Sequence, residues 1–194
     1  KTSRMAKPQL CLVRQIPERR TTMVGCTLSG KTFIKEDKMK QVIDLDNWNR
    51  KEHFAFFSAF DDPFFGITTL VDFTDIYRQS KELNVSFFLY SLHFLLKCAN
   101  ETDAFKLRIE KDSLVRYDTI HISPTIGRED GTFGFGFFEY NTNINRFIQT
   151  ATQEIERVKN GTGLSFSENT DRQDVIHYSA LPWFAFSEMK HATS

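Results

Sequence analysis

His177–Ser194 reads "HYSALPWFAFSEMKHATS". It opens as an alternating, aromatic-rich run, the pattern of a strand with one face on a core and the other turned outward. The sequence ends eleven residues past Trp183. Extended backwards to Asp174, the run is expected to be the last strand system of the fold. Before it, "NINRFIQTATQEIERVKNG" (residues 143–161) sets Ile144, Phe147, Ile148, Ala151, Ile155 and Val158 at helical spacing. Asn143 is its N-cap and Gly161 its stop.

Working further back, "GTFGFGFFEY" (131–140) alternates Gly with Phe, a strand with close backbone approach on one face. "FKLRIEKDSLVRYDTIHISPTI" (105–126) reads as a hairpin or meander turning at Lys111-Asp112, and "SFFLYSLHFLLKCAN" (86–100) as a deeply buried helix. "TDIYRQSKEL" (74–83) is a short helix, and "FFGITTLVDFT" (64–74) has the β-branched content of a strand. "RKEHFAFFSAF" (50–60) is a helix with charges in front and aromatics behind, preceded by the short strand "QVIDL" (41–45). Strands next to one another with helices inserted irregularly make this an α+β chain.

The 194 residues suffice for one ordinary domain. Twenty phenylalanines demand large buried surfaces or an aromatic-lined site, while the zero formal charge supplies no bulk attraction to nucleic acid or an anionic membrane. No apolar run reaches the length needed to span a bilayer, and the N-terminus lacks a signal-peptide centre. Three scattered cysteines, with no metal-ligand spacing, suit a reducing cytoplasm. Residues 1–38 differ from the rest, with nine Lys/Arg against three Asp/Glu and weak periodicity. They are expected to be a basic extension outside the fold, which begins at Met39. "GCTLSGKT" (Gly25–Thr32) in that extension fits the phosphate-loop pattern. It lacks the preceding buried strand, so a nucleotide site there is only a remote reading.

From Met39 onward the sequence resembles the chloramphenicol acetyltransferase family. "DLDNWNRKEHF" (44–54) and "SALPW" (179–183) carry the resemblance, with "VDFT" (71–74), the buried helix, "KDSLVRYDTIHISPTI" (111–126) and "GTF" (131–133) in the family's order between them. The resemblance implies a two-layer sandwich, a mixed and largely antiparallel sheet covered by helices. It also implies O-acetyl transfer from acetyl-CoA, without a metal, to a hydroxyl of chloramphenicol or a similar xenobiotic, in a cytoplasmic homotrimer conferring resistance. Sites would lie at subunit interfaces. Ser179 would donate to the oxyanion, and Arg50 would hold the catalytic loop. Phe133, Phe65, Phe57 and Phe56 would line the acceptor pocket. On residue type alone these positions have plainer accounts: a strand-end serine, a surface arginine and core phenylalanines.

The family's general base lies in a His-His-x-x-x-Asp-Gly motif. None of His53, His93, His121, His177 and His191 has that setting. The resemblance thus covers the family's first two-thirds to three-quarters, and the expectation is a C-terminally incomplete domain, inactive alone and poorly stable. Residues 1–38 would be sequence read ahead of a natural start at Met39. A chain that serves instead as a non-catalytic or partner-complementing subunit is the alternative. The "TIGREDGTF" loop (125–133) also lacks the His that many relatives carry there, which leaves the acceptor open.

Overall fold

A computed structural model describes residues 10–13, 39–63, 65–111, 113–183 and 186. Strands β1 (Leu10–Val13), β2 (Lys40–Val42), β3 (Leu107–Glu110), β4 (Ser113–Tyr117), β5 (His121–Gly127), β6 (Phe133–Phe135) and β7 (Val175–Ala180) alternate irregularly with helices α1 (Lys51–Ser58), α2 (Thr74–Glu82), α3 (Phe87–Glu101), α4 (Asp103–Lys106) and α5 (Ile144–Asn160). One sheet has the order β1-β7-β5-β6 and the other β2-β4-β3. Among the described residues, all pairs are antiparallel except β5 with β7. The architecture is the expected α+β one, a mixed, mainly antiparallel system covered by helices.

The two long helices form where their patterns predict. Ser86 caps α3 by accepting from the Leu89 N–H, and Asn143 caps α5 by accepting from Asn145 and Arg146 N–H. Leu89, Leu92, Leu96 and Ala99 of α3 and Phe147, Ala151 and Val158 of α5 pack with Ile122 and Ile126 of β5 and Ile176 and Tyr178 of β7. This helix-covered face is the core. Because strand side chains alternate, Ser123, Thr125, His177 and Ser179 take the opposite face. The β3–β4 hairpin turns through Lys111, whose φ of 54° is the left-handed conformation that tight hairpin turns use.

Two polar side chains, half-buried Asn100 and buried Arg108, join the layers. Asn100 of α3 donates to Leu96 O and Ile120 O and accepts from the Ile120 N–H, fixing where β5 starts. Arg108 of β3 is buried and donates to Gln173 O, Phe105 O, Leu107 O and Val175 O at 2.7–2.8 Å. It thereby ties the second sheet to the entry of β7.

One expected strand is absent. Residues 65–73 join neither sheet among the described residues, and Phe65, Ile67 and Leu70 are 80–82% exposed. β-branched composition marks a surface ready to pack, and without a neighbour to pack on it makes no strand. The expected strand at 41–45 is confined to β2, and the Gly/Phe run is confined to β6 plus a bridge from Phe138 to Ile122. There the Phe137 N–H donates to Glu154 Oε1 of α5 and leaves the ladder. Within the segment set apart at 1–38, Leu10–Val13 runs antiparallel along β7, with Leu10 opposite Ala180 and Val13 opposite His177. The remainder of that segment, including Gly25–Thr32, lies outside the described residues.

Two buried histidines set the acid limit of this core. His93 bonds Asn141 O through Nε2 and packs on Tyr140, and His121 Nδ1 accepts from the Tyr140 N–H. Burial holds both rings below the ordinary histidine value, His121 despite the nearby Asp174 carboxylate. Between pH 6.5 and those lowered values the unfolded chain binds protons that the folded chain does not, so stability falls as pH falls. The urea midpoint is therefore expected to drop between pH 7.5 and 5.5, above the range where carboxylates titrate. His93→Gln, which keeps a donor for Asn141 O, should flatten that slope. Equal slopes for variant and parent would remove His93 from the account.

Candidate active site

Ser179 sits half-buried on β7 and its hydroxyl donates to Thr125 Oγ1 of β5 at 3.2 Å. The register explains the meeting. β5 and β7 run parallel with Ser123 beside His177 and Pro124 beside Tyr178, so the next pair is Thr125 and Ser179. On the other side of β5, Thr125 faces Phe135 and Gly127 faces Phe133. The open face of the sheet therefore carries three rows: Ser123 with His177, Thr125 with Ser179 and Phe135, and Gly127 with Phe133.

The first row floors a cleft of about 160 Å³. Phe135, Phe137 and Phe166 wall it, and Asn169, Thr170 and Ser167 supply polar groups at its edge. Phe166 stacks parallel to Phe135 at 6.1 Å and 9°, and Phe133 meets Phe135 edge-on at 5.7 Å. An aromatic slot with a few polar groups, next to a hydroxyl pair, suits a flat ring bearing polar substituents. The paired hydroxyls also suit an oxyanion. When Ser179 turns its proton toward developing charge, Thr125 can donate into the vacated Oγ, so neither hydroxyl loses its partner.

The structure brings Ser179 and Phe133 onto one face. Arg50, Phe56, Phe57 and Phe65 stand apart from it in every described contact. Arg50 is exposed at the start of α1, its guanidinium 5.7 Å from the Trp48 ring, with no carboxylate of the described residues at ion-pair distance. The turn that positions it is built by Asp44, which accepts from the Asp46 N–H and the Asn47 side chain. Those hydrogen bonds, that of Asn47 first, hold the Asp44 carboxyl below its usual value. Phe56, Phe57 and Phe60 form an edge-to-face trio at 5.1–5.5 Å that no other element covers among the described residues, and α1 has no buried residue. Phe65 is 80% exposed.

Sequence reading missed Thr125, Phe135 and Phe166 as neighbours of this face, and considered His177 only as a base without the motif setting. Strand alternation between Phe133 and Phe135, and between His177 and Ser179, was the available signal for Phe135 and His177. Phe166 carries no local signal, because it comes from the turn after α5. Among the described residues there is no group of three or more His, Cys, Asp or Glu that could hold a metal ion, and no helix long and apolar enough to cross a membrane.

The family model described as chloramphenicol acetyltransferase matches residues 39–192. The chain belongs to the chloramphenicol acetyltransferase family. The chloramphenicol acetyltransferase of Proteus mirabilis is 27% identical over 147 residues, covering 75% of this chain and 67% of that protein. Chloramphenicol acetyltransferase 3 of Escherichia coli is 26% identical over 144 residues, covering 74% and 67% respectively. The matched stretch thus spans about two thirds of these chloramphenicol acetyltransferases. A solved chloramphenicol acetyltransferase structure superposes with a TM-score of 0.75 at 33% identity, covering 80% of this chain and 76% of its own. Fold and acyltransferase family membership rest on these likenesses.

Proposed function

We propose that this protein transfers the acetyl group of acetyl-CoA to a hydroxyl of chloramphenicol or a similar aromatic xenobiotic, in the cytoplasm. The observation that carries this reading is the Ser179–Thr125 hydroxyl pair on an open sheet face between Phe133 and the Phe135/Phe166 cleft. The acceptor hydroxyl attacks the thioester carbonyl, its proton goes to a general base, and the carbonyl oxygen becomes an oxyanion. Ser179 donates to that oxyanion. Its collapse breaks the C–S bond, and the CoA thiolate recovers the proton from the base.

The base is assigned to the family's His-His-x-x-x-Asp-Gly motif, whose Asp would pair with Arg50. These 194 residues do not contain that motif. The chain by itself is therefore expected to bind chloramphenicol but to release thiol from acetyl-CoA at background rate. A tryptophan-fluorescence titration with chloramphenicol and a thiol-release assay measure the two properties on one sample. Failure to bind would end the acceptor reading. Turnover well above background would instead move the base to a histidine of this chain, and His177, which shares the cleft with Ser123, is the first to replace.

The same reading assigns a cover to the exposed apolar surface. Phe56, Phe57, Phe65, Ile67, Leu70 and Trp183 are all more than half exposed, and exposed apolar side chains of this size are ones a partner surface can cover. We propose that further copies of the chain pack there in a trimer, completing the acceptor site with α1. Sedimentation equilibrium that returns only monomer at micromolar concentration would exclude it.

A further inference from the structure

Arg128 follows β5 directly, in the loop that leads to β6. Its side chain runs on the helix-covered side of the sheet, opposite to Ser179. Nε donates to Val158 O in the last turn of α5 at 2.9 Å, a favourable place for a cation because helix carbonyls converge there. Nη1 reaches Thr132 Oγ1 at 3.1 Å, Phe133 O at 3.0 Å and Gly163 O at 2.9 Å, and Nη2 donates to Ser165 Oγ at 2.6 Å. One guanidinium thus joins the loop before β6, the end of α5 and the 161–166 turn. The site is packed around it. A Cβ on Gly134 would lie 2.8 Å from Arg128 Nη2 and Val158 Cγ1 and 2.9 Å from Ser165 Oγ, so any side chain there would displace these groups.

Arg157 and Glu154 of α5 stitch the same turn to β6. Arg157 donates to Ser165 O at 3.2 Å and to Phe135 O at 3.4 Å, and is held by Glu154. The Phe135 N–H donates to Leu164 O at 2.9 Å. The next residue after Ser165 is Phe166, the cleft wall stacked on Phe135. Its ring is 63% exposed, and an offset stack between partly exposed rings is a weak restraint by itself. What places Phe166 is therefore the backbone of the turn, and the turn is held from the far side of the sheet.

We propose that Arg128 is a positioning residue for the acceptor, setting the Phe135/Phe166 wall of the cleft from the helix side without touching the ligand. This rests on the acceptor reading above. The test is a double-mutant cycle on the full chain with chloramphenicol as probe. Phe166→Ala and Arg128→Met should each weaken binding by about tenfold, and adding Arg128→Met to Phe166→Ala should cost less than about twofold more. A merely structural role for Arg128 would cost the same factor in both backgrounds, and that result overturns the inference. Full affinity in Arg128→Met overturns it too. If Arg128→Met loses its helical circular dichroism, Ser165→Ala, which removes only the Nη2 contact, should still weaken binding by about threefold. Unchanged affinity in that variant is equally decisive against. A parent chain that does not bind chloramphenicol fails the acceptor reading itself, whereas binding with additive losses fails only the role of Arg128.

Discussion

Arg108→Met is expected to lower stability by about 3–5 kcal/mol, because several carbonyls, each costing about 1–3 kcal/mol to leave unpaired, lose their charged donor together. Methionine fills much of the volume but leaves the carbonyls of Gln173, Phe105, Leu107 and Val175 without their donor. Buried carbonyls stripped of partners recover nothing from water. Total stabilities of small domains run from about 5 to 15 kcal/mol, so the loss takes a large share. Arg108→Lys should rescue little, because one ammonium cannot span acceptors that the planar fork reaches together. Urea denaturation followed by circular dichroism measures both variants. A Met variant within 1 kcal/mol of the parent would mean that water enters and satisfies the carbonyls.

The largest catalytic effect is expected at Ser179. In a protein carrying the His-His-x-x-x-Asp-Gly motif downstream of these residues, Ser179→Ala should reduce kcat by about 10²–10³, the usual consequence of deleting an oxyanion donor. Chloramphenicol affinity should change by less than about twofold, since the interaction is made in the transition state. Thr125→Val, which removes the hydroxyl that supports Ser179, should cost about tenfold in the same direction. Loss of binding in Ser179→Ala equal to its loss of turnover would return Ser179 to a packing role.

What the sequence disclosed follows from the range of the forces involved. Local signals were readable: the cap at Asn143, the periodicity of α5, the hairpin turn at Lys111 and the alternation around Ser179. Motifs also named the family. Pairings across the chain were not readable. Nothing near Ser179 announces Thr125, and nothing near Phe135 announces Phe166, because each partner arrives through sheet register or a distant turn. The Phe65–Phe73 segment misled for the same reason. Its composition states a preference for packing, and the answer depends on what stands opposite. Arg50, Phe56 and Phe57 were named by motif alone, and they lie at the start of or on a helix with no buried residue.

The parallel pairing of β5 and β7 also bears on the order of assembly. Strands β5 and β7 are neighbours, yet β6 and all of α5 intervene between them in the chain. The Ser179 and Thr125 hydroxyls meet across 54 residues. Such a contact closes a long loop, whose entropy cost falls on folding before any gain returns. The β3–β4 and β5–β6 hairpins and the helices α3 and α5 need no such closure. The hydroxyl pair is consequently expected among the last features to form, and any ligand of the cleft beside it should capture fully folded molecules and ignore partly folded ones.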